Sequence, residues 1–184
     1  MINPYVVGKF CYLRTPEEDD AGSAWYEWFS DPTVTKFLIE RFWPNSKSEQ
    51  LNFIRHLIGS RERLVLLICD SSSDSIQGVC ALSNINWAQR HADFSIVMPG
   101  LPSTDPRVAI EASTMLLSSA FNRLNLLNIR AATVSMNLPA LTLTNLLGFK
   151  QVGLFPNLYK IDGQFSDLVY SHLTIEGWNA GRFK

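Results

Sequence analysis

The order of elements in this chain predicts an α+β or α/β sandwich, and three observations carry that prediction. The runs 64–69, 76–82 and 92–98 are short, rich in Val, Ile and Leu, and separated by loops of hairpin size, which reads as an antiparallel meander. A long helical pattern and a further strand follow the meander and make a crossover. Two helical segments come before the sheet, and a hairpin closes the chain.

Each element has its own signal. Lys9 to Thr15 reads as a first strand, and Pro16 with Glu17, Glu18, Asp19 and Asp20 opens a helix, since Pro suits a first helical turn and acids favour its positive end. The same acidic cluster has metal ligation as its weaker reading. Helical spacing runs through Trp25, Trp28 and Phe29, stops near Asp31-Pro32, and resumes from Ser46 or Ser48 through Leu51, Ile54, Leu57 and Ile58. After the meander, Ala109, Ala112, Leu116, Ala120 and Leu124 recur at three and four residues and define one face of a long helix. Asn128 to Ser135 reads as a strand and Pro139 to Leu147 as a short helix stopped by Gly148. Asp162-Gly163 marks the turn of the final hairpin.

The 184 residues, 46% hydrophobic and 18% charged, describe one globular domain spanning 1–184. A chain of this mass buries roughly 70% of its extended surface on folding, so it needs neither disulfides nor metal to hold a core. Sixteen basic against 17 acidic side chains, without a basic block, exclude nucleic acid as the main partner. No apolar run approaches the roughly 20 residues that cross a bilayer, and the start has no signal-peptide layout, so no membrane partner and a cytoplasmic location are expected. Cys11, Cys69 and Cys80 lie in strand-like stretches without CxxC spacing and read as buried thiols.

Several segments, in order, resemble the GNAT acyltransferases: YLRTPEEDD with WYEWFSDPTV, then INWAQRHADFSIVM, then IEASTMLLSSAFNRLNLLNIRAATVSMNLPALTLTNLLGF, then LYKIDGQFSDLVYSHL. Within that superfamily the resemblance is to the branch of ribosomal-protein N-terminal acetyltransferases and, more weakly, to amino-sugar N-acetyltransferases. It implies a central mixed, mostly antiparallel sheet flanked by helices on both faces, and acetyl-CoA as co-substrate with no metal. The donor would lie between two splayed strands, with the backbone of Phe94, Ser95, Ile96, Val97 and Met98 pairing with the pantetheine arm and polarising the thioester carbonyl. The pyrophosphate would sit where the chain enters the long helix, at Arg107, Val108 and Ala109. There the sequence departs from the family pattern: the stretch is Thr104, Asp105, Pro106, Arg107, Val108, Ala109 and keeps only the last small residue. Arg107 either contacts phosphate or blocks the loop, and Asp105-Pro106 is equally an N-cap followed by proline at the first helical position.

The resemblance assigns further residues. Asn137 matches an asparagine that touches the CoA arm, and it also suits a helix cap. Thr144 stands where relatives carry a tyrosine that protonates the departing thiolate; a threonine hydroxyl is a weaker acid and orients a water at most. Asp93 matches an acidic position on the donor strand and is the expected base, its basicity raised if a cleft desolvates it; the bland reading is a carboxylate on the wet face of a strand, or one paired with Arg90 or His91. The acceptor is an amine-bearing small molecule, such as a nucleotide-linked amino sugar, or a protein N-terminus. Trp25, Trp28, Phe37, Phe42, Trp43, Trp87, Phe155 and Tyr159 supply aromatic surface for its pocket. A monomer or homodimer is expected. Two alternatives stay open: a non-catalytic binding module with a degenerate phosphate loop, and an enzyme using another acyl-CoA.

Overall fold

A computed structural model describes residues 1, 3–38, 42–43, 45–99 and 105–181. The chain forms one eight-stranded sheet in the order β1-β2-β3-β4-β5-β6-β8-β7. Its strands are β1 (Pro4–Val7), β2 (Cys11–Arg14), β3 (Leu64–Asp70), β4 (Ile76–Asn86), β5 (His91–Val97), β6 (Asn128–Val134), β7 (Lys150–Ile161) and β8 (Gln164–Thr174). Every neighbouring pair is antiparallel except β5 with β6. A parallel pair needs a crossover, and the chain supplies it as helix α4 (Pro106–Ser118).

Helices cover both faces. On one side α1 (Ala24–Trp28) and α3 (Lys47–Leu57) bring Trp25 and Ile54 onto Tyr12, Leu67, Cys69 and Val79. On the other, α4, α5 (Leu138–Leu146) and α6 (Ile175–Ala180) cover Cys11, Leu13, Leu66, Ile68, Ala92 and Phe94. Strict alternation along β2 and β3 therefore buries both faces, which is why these strands are apolar throughout. All three cysteines are buried free thiols; burial, assisted by Glu111, pushes the Cys11 thiol up to about 12.

Three local outcomes differ from the sequence expectation. PYVV, too short to show a period, forms the edge strand β1. The acidic run after Pro16 makes a 3-10 turn, Glu18–Gly22, with a further short helix α2 (Pro32–Thr35) after α1. The helix of residues 109–124 leaves α geometry at Ser119, where a π segment runs to Arg123 and the Leu124 amide donates to the Ser119 carbonyl five residues back at 3.0 Å. This wider turn sets the Phe121 ring on Trp178 at 5.7 Å. The final hairpin turns as expected at Asp162-Gly163, both residues at positive φ.

Candidate active site

The parallel ladder between β5 and β6 is short. It runs from His91 opposite Asn128 to Asp93 opposite Arg130 and stops there, while β5 stays paired with β4 as far as Val97 and β6 with β8 as far as Val134. Beyond Asp93 the strands diverge, so the edge of Phe94 to Val97 that faces β6 carries backbone groups without a ladder partner. Such groups demand a partner when water is excluded, and an extended ligand with amides is one. The side chains alternate as β geometry requires: Phe94 is buried against Phe149 at 5.9 Å, Ser95 is exposed, and Val97 packs with the Trp25 cluster. Met98 lies just past the strand, partly buried.

Asp93 stands at the vertex of this V, on the sheet face that carries α1 and α3. Its Oδ1 accepts from Arg130 Nε at 2.7 Å and its Oδ2 from Asn84 Nδ2 at 2.8 Å. The side chain is 34% exposed. The bland expectation of pairing with Arg90 or His91 is corrected, since Arg90 instead donates to the carbonyl and side-chain oxygens of Asn125. Asp93 is thus held by two donors at a partly exposed position on the strand.

At the start of α4, Asp105 is the N-cap. One of its carboxylate oxygens accepts from the Arg107 amide at 2.9 Å, its carbonyl accepts from the Val108 amide at 3.0 Å, and both carboxylate oxygens bind the Arg107 guanidinium, the Nη2 contact being 2.6 Å. Phe10 lies under that guanidinium at 4.5 Å. The Arg107 side chain holds the Asp105 carboxyl below its ordinary range. This is the N-cap followed by proline that the sequence left open beside a phosphate contact: Asp105 occupies the Arg107 and Val108 amides, and Pro106 has none to give. Thr104 lies outside the described residues.

Asn137 caps α5, accepting from the Ala140 amide at 3.3 Å, one turn beyond the open end of β6. Thr144 is buried, and its hydroxyl donates to Ala140 O at 3.1 Å and Leu141 O at 3.0 Å. This back-bonding engages the Thr144 proton within its own helix, in keeping with a hydroxyl expected to orient a water at most.

A cavity of about 870 Å³ opens between α2, residues 42, 43 and 45, and the β7–β8 turn. Phe29, Phe42, Trp43, Lys36 and Asp162 are among its lining, with Lys36 Nζ 2.9 Å from Asp162. Of the eight aromatics expected here, Phe42 and Trp43 line it. Trp25 is core, Phe37 and Tyr159 pack onto Val134 and Leu168, Phe155 meets Tyr170 edge-on, and Trp87 donates to Arg61 O at the meander. Phe37 thus joins this region to the open end of β6.

Residues 13–170 match the acetyltransferase (GNAT) domain. The chain belongs to the GNAT acetyltransferase family. A relative, the uncharacterized N-acetyltransferase p20 of Bacillus licheniformis, is 29% identical over 160 residues, 85% of this chain and 88% of that one. Spermidine N-acetyltransferase from Vibrio cholerae, solved with CoA and spermine, superposes with TM-score 0.83 at 20% identity over 94% of this chain and 99% of that one. A GNAT-family acetyltransferase from Bacillus anthracis gives 0.77 at 18% identity, over 93% and 98%. The comparisons do not support the ribosomal-protein or amino-sugar branch.

In this GNAT domain the residues that sequence reasoning missed are Arg130, Asn84 and Phe29. Arg130 reaches Asp93 across 37 positions and a helical crossover, so no local pattern marks the pair. Among the described residues, no cluster of three metal-ligating side chains occurs and no helix is long and apolar enough to cross a membrane.

Proposed function

We propose that this GNAT enzyme transfers an acetyl group from acetyl-CoA to a primary amine by direct attack, with Asp93 receiving the amine proton. The observation that carries the reading is the position of Asp93 at the vertex where β5 leaves β6. Acetyl-CoA supplies an activated thioester. The backbone edge of Phe94, Ser95, Ile96, Val97 and Met98 would hold its amide-bearing arm and donate hydrogen bonds to the carbonyl oxygen, where negative charge grows as the amine adds. Asn137, at the open end of β6, would contact the same arm. Arg107 would meet the phosphates once Asp105 gives way, a charge-assisted exchange of one anion for another.

Asp93 takes a proton as the C–N bond forms and the C–S bond breaks, either directly or through an ordered water. The departing sulfur takes a proton from solvent, Thr144 being committed to its helix. The acceptor is a nucleotide-linked amino sugar, another small amine, or a protein N-terminus. Ring-bearing amines are supported by Phe42 and Trp43, which are 64% and 77% exposed at the cavity.

Asp93→Asn tests the reading. Steady-state transfer should fall by about 10²- to 10⁴-fold while acetyl-CoA affinity, measured by calorimetry, changes little. A variant that turns over at the wild-type rate removes Asp93 from the chemistry.

A further inference from the structure

The surroundings of Asp93 contain an irregularity that strand packing does not explain. Between Ser83 and Asn86, β4 carries one residue more than β5 does between Asp93 and His91, a β-bulge. In an unbroken strand Leu82 and Asn84 would share a face, and Ser83 and Ile85 the other. Here Leu82 and Ile85 both lie in the core under α4, so the extra residue leaves Ser83 and Asn84 together on the opposite side. Asn84 has φ 51, the left-handed region that asparagine tolerates better than most side chains. The bulge and this backbone turn the Asn84 amide onto Asp93, to which a regular strand would not have brought it.

Arg130 closes on the same carboxylate from the other side. It is the β6 residue in register with Asp93 at the last rung of the parallel ladder, and it uses Nε for the contact. Arg130 and Asp93 are each partly exposed, at 45% and 34%, and an ion pair so placed contributes little to stability. A bulge, a left-handed residue and an accessible ion pair that converge on one carboxylate, at the point where the strands part, are better explained by the orientation they impose than by folding energy.

We propose that Arg130 and Asn84 are positioning residues that form a two-armed cradle for Asp93, fixing its carboxylate at the vertex of the β5–β6 splay so that a remaining lone pair faces the incoming amine. The proposal rests on Asp93 being the base. The cradle holds each carboxylate oxygen with one donor, and a carboxylate has about four acceptor positions, so both oxygens keep capacity for a proton. Neither Arg130 nor Asn84 transfers a proton itself. Their effect is on how often Asp93 is in reach, which lowers kcat when lost and leaves donor binding alone.

The test is acetyl transfer from acetyl-CoA to glucosamine, spermidine and an alanyl peptide, with kcat and KM measured on the fastest of the three for the full chain. Asn84→Ala and Arg130→Ala should each lower kcat by about 10- to 100-fold, with KM for acetyl-CoA and its calorimetric Kd within about threefold of wild type. Added guanidinium should restore part of the Arg130→Ala rate, and Arg130→Lys should retain more activity than Arg130→Ala. In the Asp93→Asn background, Arg130→Ala should cost nothing further, because its effect passes through the carboxylate. Thermal unfolding of each variant identifies one that fails to fold; Arg130→Lys and the remaining folded alanine variant then decide the matter. Wild-type kcat in both Asn84→Ala and Arg130→Ala, with Asp93→Asn slow, would overturn the cradle and leave the base in place. A fast Asp93→Asn, or no transfer to any of the three amines by the wild type, would overturn the underlying reading and the cradle with it.

Discussion

Asp20 shows how one acidic residue in a cluster acquires a buried counter-charge. Arg14 grips it with both terminal nitrogens, at 2.8 and 2.7 Å, and Oδ2 also accepts from the Glu17 amide at 2.7 Å. The two side chains are 9% and 10% exposed. Burial alone would raise the Asp20 carboxyl, but the Arg14 guanidinium and the Glu17 amide outweigh it and hold the group below its ordinary range. The folded value is thus the lower one, so the contribution to stability is complete above about pH 4 and is lost as the pH falls through the lowered value. Asp20→Ala leaves Arg14 buried without a counter-charge and is expected to cost about 3–5 kcal/mol in chemical denaturation at pH 7. A cost below about 1 kcal/mol would mean that water reaches the pair. The helix-start reading of the cluster was sound for Asp20, which does satisfy an amide at the entry to the 3-10 turn. Its arginine was not legible, because Arg14 belongs to a neighbouring strand and only the fold turns it inward.

At the scale of elements, α4 is fastened to the β1–β2 connection by one side chain. The Glu111 carboxylate accepts from the amides of Lys9, Phe10 and Cys11 at 2.7, 2.7 and 3.0 Å. A Cβ on Gly8 would come within 2.5 Å of Glu111 Cδ, so only glycine lets the loop close on the acid. Burial pushes the Glu111 carboxyl up and the three amides pull it down, with a net lowering. Glu111→Ala should destabilise the fold by about 1–3 kcal/mol, and hydrogen exchange should speed up at Lys9 to Cys11 specifically. Unchanged exchange there would show that solvent serves those amides equally well. The helix itself was legible from the spacing Ala109, Ala112, Leu116, as were β3 to β6 from their β-branched runs. The clamp was not, since a partly exposed acid beside an apolar stripe looks like any solvated position. The Ser119 widening was equally hidden, because it preserves the apolar spacing that defines the helix.

For the molecule as a whole, the layered α/β architecture followed from element order, and the resemblance supplied the splay. The register that makes Asp93 a vertex residue is a product of the complete sheet: β5 and β6 meet only after the α4 crossover has returned the chain, and Arg130 reaches Asp93 through that meeting. The aromatic load was legible by composition and misleading by position, for most of it is core, and Phe42 and Trp43 are set apart by where α2 and the final hairpin leave a gap. The diverging edge of β5 is the proposed donor site, and it is the part of the sheet that acetyl-CoA should cover. Amide hydrogen exchange across the chain, with and without acetyl-CoA, measures it directly. A donor site on β5 requires protection gained at Phe94 to Val97 with β3 unchanged; protection confined to another region, or none at saturating ligand, would place acetyl-CoA elsewhere.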